Sequence, residues 1–273
     1  MSKLLKRTIT VLIMAPIFMV IVTFDVPPYQ TLPFLILVIG LTILASLELY
    51  AMAKIKDPVA QVGVFFSAFV VLLAFFVELQ PIWNSYIALG FSIFLIIVRL
   101  MELSRRKLYF SGNTVMTAAR GVLYFGWSLA FFVLIRNLPS GKWMVVSIIL
   151  VIWALDIAAF FTGSLIGKHK LNPEISPKKT IEGAIGGTIV AVGVSYLLLT
   201  QFVGPVHSLI LGSLLAIFGQ SGDLYESLLK RTYKVKDSSD IIPGHGGIMD
   251  RLDSFLLVAP IAYYYLIIFM VRI

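Results

Sequence analysis

Cysteine is absent from the 273 residues, which excludes a disulfide framework, a thiolate metal site and a cysteine nucleophile. The redox state of the compartment therefore leaves no mark on this chain. Charge is scarce, with 13% of residues Asp, Glu, Lys or Arg, against about 25% in soluble domains. Histidine is rarer still, and His169, His207 and His245 are too scattered for a histidine-rich zinc site. So little polar surface rules out both a soluble globular domain and a disordered chain. The chain is instead 59% hydrophobic, with a mean hydropathy of +0.96. Its apolar runs of about twenty residues are long enough to cross a bilayer as helices. An outer-membrane barrel would alternate apolar and polar residues instead. The fold class that remains is an all-α polytopic integral membrane protein.

Measured against a hydrocarbon layer roughly 30 Å thick, nine segments qualify as spans. They are Thr8–Phe24, Tyr29–Ala53, Pro58–Glu78, Pro81–Met101, Val115–Ile135, Lys142–Ile166, Ile181–Val203, Pro205–Leu229 and Leu252–Val271. Turn chemistry separates them at Pro27-Pro28, Asp57-Pro58, Gln80-Pro81, Ser111-Gly112-Asn113, Pro139-Ser140-Gly141 and Gly204-Pro205. The first segment has the basic start of a signal peptide, but no small-residue cleavage site follows, so it reads as a retained helix. There is no internal repeat, and no loop is long enough for a soluble domain. Residues 1–140 read as an N-terminal scaffold of about five spans, and residues 141–273 as a C-terminal catalytic region of about four.

Basic residues divide unevenly between the two ends of these spans. One side collects Lys3, Lys6, Arg7, Lys54, Lys56, Arg99, Arg105, Arg106, Lys107, Lys168, Lys170, Lys178, Lys179, Lys230, Arg231, Lys234, Lys236 and Arg251, eighteen in all. The other has Arg136, Lys142 and Arg272, with Arg120 just inside the fifth span. The positive-inside rule then predicts a cytoplasmic N-terminus and an outside C-terminus. Much of the +8 net charge is thereby explained by topology and anionic headgroups, and no nucleic-acid partner is expected.

The carboxylates separate into two kinds. Asp25 and Glu78 fall in short loops, while Glu48 and Glu102 lie near helix ends, where Lys54 or Arg105–Arg106 are the expected partners. Asp156 and Asp223 sit inside apolar spans, where a charge costs roughly 2.5–3.5 kcal/mol and does not face lipid. For Asp156 an interhelical hydrogen bond or ion pair is as good an account as a functional one. Asp223 has more telling neighbours. Gln220, Asp223, Ser227 and Lys230 share one helix face, with Glu226 at its margin, and Asp250, Asp253 and Ser254 repeat the spacing where the ninth span begins. Hard oxygen ligands without thiols point to Mg²⁺, one or two ions, and Lys and Arg beside them suit a metal-bound polyphosphate.

Two loops on the same membrane face add anion-binding chemistry. The turn Pro243-Gly244-His245-Gly246-Gly247 lets backbone N–H groups approach a phosphate closely, although a plain tight loop would look the same. Ser176-Pro177-Lys178-Lys179-Thr180 precedes a helix whose N-terminus offers free donors, with Glu182 in its first turn complementing the dipole. Gly163-Ser164-Leu165-Ile166-Gly167-Lys168 is not a P-loop, since it is one residue short and has His169 where Ser or Thr is needed. The spacings Gly163–Gly167 and Gly183–Gly187 predict close helix packing.

One stretch resembles a known signature. Ser227-x-Leu229-Lys230-Arg231, Lys236-Asp237-x-Ser239 and Ile242-Pro243-x-His245-Gly246-Gly247-Ile248-x-Asp250-Arg251-Leu252-Asp253 are similar to the pattern of the phosphatidate cytidylyltransferases, or CDP-diacylglycerol synthases. Ser176–Gly183 and Gly222-Asp223-x-x-Glu226-Ser227 also look like segments of that family. The resemblance covers about the last 120 residues; the first 140 share only length and hydropathy. It implies a Mg²⁺-dependent membrane enzyme joining CTP to phosphatidic acid, with CDP-diacylglycerol and pyrophosphate as products, in phospholipid biosynthesis. By similarity Asp223 and Asp250 lead the metal ligands, with Asp237, Asp253 and Glu226 as supplementary candidates. Lys178, Lys179, Lys230, Arg231 and Arg251 would take phosphate charge, and Ser176, Thr180, Ser227, Lys236, Gly246 and Gly247 would line the substrates. His245 would orient phosphate or stabilise its turn. A homodimer would suit the family. A transporter and a CTP-dependent lipid kinase are the rival readings, while the CDP-alcohol phosphotransferase motif is absent.

Overall fold

The computed structural model describes residues 15–27, 30–55, 58–76, 114–242 and 246–269, with positions 13, 92, 103 and 104. Apart from Ser92, the proposed span Pro81–Met101 therefore lies outside the described residues, as do His245 and the N-terminal basic cluster Lys3, Lys6 and Arg7. Residues 15–23 are helical. They are followed by α1 (Leu32–Met52), α2 (Pro58–Phe76), α3 (Thr114–Gly121), a π-helical segment (Val122–Trp127) and α4 (Ser128–Arg136). Next come α5 (Gly141–Ile166), the strands β1 (Lys170–Asn172) and β2 (Ser176–Thr180), α6 (Ile181–Val203) and α7 (Pro205–Thr232). A short α8 (Met249–Leu252) and α9 (Phe255–Phe269) close the described chain.

Punctuation residues set these boundaries as their chemistry requires. α1 and α7 each carry Pro within their first two positions, where the missing N–H costs nothing. α1 ends with Lys54 in the left-handed region (φ 56°), and the Ile55 N–H returns to the Tyr50 carbonyl at 2.9 Å. Among the described residues, five helices are long and apolar enough to cross a membrane: Leu32–Met52, Met116–Arg136, Gly141–Ile166, Ile181–Val203 and Met249–Phe269. Their outward faces show Phe160, Leu165 and Leu197 without cover, as expected for side chains that meet lipid rather than water.

Helix contacts are made through small residues. α5 and α6 lie so close that a Cβ on Gly183 would stand 2.7 Å from the Ala159 carbonyl, and one on Gly187 would stand 2.9 Å from the Leu155 carbonyl. The two glycine pairs expected to bring helices together do so, and Gly163 and Gly167 also make room for Thr180. α7 packs on α6 and α9, where Leu211, Leu215, Leu256 and Ala262 are fully buried. At the far end of α5 from the hairpin, Asp25 is ion-paired with Arg136 and Lys142. Hydrogen bonds and charge from those two cations, Lys142 foremost, hold its carboxyl below the usual carboxylate range.

One element departs from an all-helical chain. Residues 170–180, expected as a basic loop, form an antiparallel hairpin with Lys170 opposite Thr180 and Asn172 opposite Ser176. Asn172 Oδ1 accepts the Ile175 N–H at 3.3 Å across its turn, and the Ile175 side chain is buried. A two-stranded ribbon is all edge, so Pro177 is tolerated inside β2.

Candidate active site

The C-terminal turns of α7 bring most of the predicted residues together. Asp223 forms an ion pair with Lys179, delivered by β2. One turn on, Glu226 is completely buried and pairs with Lys230 at 2.5 Å, four residues along the same helix. Lys230 also reaches Asp250 at 2.6 Å. Asp250 Oδ2 accepts the Gly247 N–H at 2.8 Å, the Ser238 N–H at 3.0 Å and, at 2.9 Å, the Ser238 hydroxyl. The result is a line of alternating charge, Glu226–Lys230–Asp250, with Asp223–Lys179 beside it. Gln220, on the same helix face in sequence, is used differently: its amide donates to Thr188 Oγ1 at 3.0 Å and ties α7 to α6.

Asp156 and Asp253 complete an acidic set. Asp156 is exposed on α5 and has no hydrogen-bond partner among the described residues. Asp223, Lys179 and Arg251 are its charged neighbours, so it belongs to this cluster and not to an interhelical clasp. Asp253 accepts the Ser254 N–H at 2.7 Å through Oδ1 and has Asp223, Glu226, Asp156 and Lys179 within electrostatic reach. Among the described residues no three of these groups converge as ligands around one point. Their donor chemistry nevertheless fits a hard divalent ion, because lone pairs remain on Asp223 Oδ1, Asp253 Oδ2 and both Glu226 oxygens, and one on Asp250 Oδ1. Asp223 and Asp250 each have a cation of their own, Lys179 for the first and Lys230, shared with Glu226, for the second.

The other predicted residues fall into two groups. Ser176, Lys178 and Thr180 lie on β2, Lys178 with its side chain in the open. Thr180 is buried and caps α6, its Oγ1 accepting the Gly183 N–H at 3.2 Å. Arg231 donates to the Ile175 carbonyl at 3.3 Å and the Val235 carbonyl at 3.1 Å, strapping the hairpin to α7. Ser227 is buried, whereas Lys236, Asp237 and Arg251 are exposed. Gly246 takes φ +82°, and a Cβ there would stand 2.6 Å from Asp250 Oδ2. Gly247 has even less room, since a Cβ would meet Ser238 Oγ and both Glu48 oxygens. Thr180→Val should lower stability by about 1 kcal/mol through loss of the cap, with Thr180→Ser near wild type. Thermal unfolding in detergent measures both.

Two carboxylates are placed where local sequence reasoning did not put them. Glu48 does not pair with Lys54; it is buried at the end of α1 and holds residues 238–239 and 248–249. Its partners lie some 190 to 201 positions away, so no spacing rule could have found them. An acidic residue within an apolar span was the available signal. Glu182 does more than complement a dipole, accepting the Lys168 and His169 N–H groups and pairing with His169 Nδ1 at 2.6 Å.

Comparison with known proteins identifies the family. A model of the cytidylyltransferase family matches residues 5–269. The phosphatidate cytidylyltransferase of Bacillus subtilis (strain 168) is 37% identical over 248 residues, covering 87% of this chain and 90% of its own. That of Staphylococcus haemolyticus is 34% identical over 258 residues, 93% of this chain and 96% of its own. The Staphylococcus aureus (strain COL) protein is 40% identical over 181 residues, 65% and 66% of the two chains.

Proposed function

The chain belongs to the phosphatidate cytidylyltransferase family, and we propose that the end of α7, the β-hairpin and residues 246–253 form its catalytic centre. It is a polytopic membrane nucleotidyltransferase of phospholipid biosynthesis, making CDP-diacylglycerol from CTP and phosphatidate. The mechanism we assign is in-line attack of a phosphatidate oxygen on the α-phosphorus of CTP. One P–O bond forms, the bond from the α-phosphorus to the bridging oxygen breaks, and pyrophosphate carries that oxygen away. The nucleophile is already anionic, so no strong general base is required; positioning and charge neutralisation carry the rate. Lys178, Lys179, Lys230, Arg231 and Arg251 neutralise phosphate oxygens, with Ser176, Ser227, Lys236 and the 246–247 backbone lining the substrates.

Asp223 and Asp250 would hold Mg²⁺, supported by Asp253, Glu226 or Asp237. Asp156 joins them as a candidate because it lies beside Asp223 with its oxygens unbonded. When bound, the ion supplies charge to the triphosphate oxygens and to the departing pyrophosphate. Lys179 and Lys230 meanwhile keep the carboxylates compensated, and release them as phosphate arrives. The single observation that carries this reading is the alternation of carboxylate and ammonium around one helix end.

The remaining assignments rest on hydropathy and charge. Nine spans come from hydropathy, an N-terminus in the cytoplasm and a centre near the inner headgroup plane from the eighteen-to-three division of basic residues, and a bacterial plasma membrane from the bacterial relatives. A phosphatidate with acyl chains then enters between helices, and CTP arrives from the cytoplasm. A homodimer is compatible with this arrangement.

Purified protein given CTP, Mg²⁺ and phosphatidate should release pyrophosphate only when both substrates are present, and chelation of the metal should stop it. Release of CDP would identify a lipid kinase. Solute flux in vesicles without pyrophosphate release would identify a transporter.

A further inference from the structure

Of the described carboxylates, Glu48 has four hydrogen bonds, and every partner is a donor. Its Oε1 accepts the Ser239 hydroxyl at 2.6 Å and the Ile248 N–H at 2.9 Å. Its Oε2 accepts the Met249 N–H at 2.8 Å and the Ser238 hydroxyl at 2.9 Å. A group with acceptors only is what such a set of donors demands. The side chain is 3% exposed, at the end of a helix in the N-terminal half of the chain. Two of the donors are backbone groups at the start of α8, immediately before Asp250.

Ser238 extends the connection. Its Oγ lies 2.9 Å from both Glu48 Oε2 and Asp250 Oδ2, and its one hydroxyl proton bonds one of them at a time. With that proton on Glu48, the Ser238 N–H still bonds Asp250 Oδ2 at 3.0 Å, so a continuous path runs from Glu48 through Ser238 to Asp250, Lys230 and Glu226. Gly247 is confined by the same group, because a Cβ would lie 2.5 Å from each Glu48 oxygen. Lys54, the cation predicted to pair with Glu48, is exposed and turned into a left-handed helix end.

We infer that Glu48 is a positioning residue for the transfer reaction: α1 uses it to fix the 238–239 and 246–250 backbone, and so to set where Asp250 and Lys230 meet the substrates. This rests on the proposed catalytic centre and extends it to the N-terminal half of the chain. Glu48 touches no substrate in this role. It acts by holding donors that would otherwise rotate freely, and a misplacement of about 1 Å in such a site costs on the order of 10²-fold in rate.

Glu48→Gln is the informative variant, because each oxygen accepts one backbone N–H, so the amide nitrogen faces such a donor whichever way it turns. In the full-length protein in detergent, kcat for CTP-dependent pyrophosphate release should fall about 10²-fold, with little change in KM for CTP. Amide hydrogen exchange should quicken at Ser238, Ser239 and Gly246–Met249 and stay at wild-type rates in α5 and α6. Lys54→Ala, on the same helix end, should leave both measurements unchanged. If Glu48→Gln does not fold, Ser239→Ala removes one hydroxyl donor and no backbone bond, and should quicken exchange at Ile248 and Met249 while lowering kcat. Wild-type kcat and wild-type exchange in the folded variant overturn the inference. Asp250→Asn run in parallel separates the two readings: if it is inactive while Glu48→Gln is normal, the catalytic centre stands and the role of Glu48 falls. An active Asp250→Asn brings down the centre, and the inference with it.

Discussion

Asp223→Asn is expected to reduce pyrophosphate release by about 10³-fold or more, in a protein that inserts and purifies normally. The size follows from the several kcal/mol of charge stabilisation that a bound divalent ion supplies, at about 1.4 kcal/mol per factor of ten. Normal assembly follows from the position of Asp223, which makes one ion pair, with Lys179, at a partly open site where a neutral amide is tolerated. Asp250→Asn should lose comparable activity with an added structural cost. Its Oδ2 accepts two backbone N–H groups and lies within reach of a hydroxyl, and an amide nitrogen placed there would face the Gly247 and Ser238 donors. Titrating Mg²⁺ against initial rate distinguishes the two, because Asp223→Asn should shift the metal requirement upward while loop exchange stays unchanged. Near-normal turnover in either variant would remove that residue from the metal assignment.

Lys230→Met has the largest expected effect on stability. Lys230 compensates two carboxylates at once, one of them completely buried. Removing the cation leaves Glu226 charged without a partner, and breaking a buried pair in this way costs about 3–5 kcal/mol. Glu226→Gln in the same chain should return a large part of that loss, since the uncompensated charge is then gone, while activity stays low because Asp250 still lacks its cation. Denaturant or thermal unfolding of the single and double variants measures the coupling. Additive effects of the two changes would show that the buried pair does not act as a unit.

The helices were legible where apolar runs are bounded by turn residues. Ile181–Val203 agrees between sequence and structure because Thr180 caps one end and Gly204-Pro205 closes the other. The Asp223–Lys230 face was legible because helical periodicity alone decides which side chains share a stripe. Pairing between distant elements was not. Nothing in the spacing of Lys178-Lys179 reveals a hairpin, because a basic loop and a two-stranded ribbon have the same composition. Asp223 and Asp250 could be singled out by their spans, but not their cations: Lys179 pairs with Asp223, and Lys230 pairs with both Asp250 and Glu226. Arg231 illustrates the same limit: its charge was readable, while its use as a strap on the Ile175 and Val235 carbonyls depends on where the hairpin lands.

The length of α7 has a consequence for how such a protein meets its two substrates. At 1.5 Å per residue its 28 residues extend about 42 Å, well beyond a hydrocarbon layer of roughly 30 Å. Its first eighteen positions, Pro205 to Gly222, carry no Asp, Glu, Lys or Arg, and all its charges follow in the last ten. A single unbroken rod is therefore greasy at its base and ionic at its tip. No hinge or separate globule is needed to bring an oily reactant and a water-borne one to a common height.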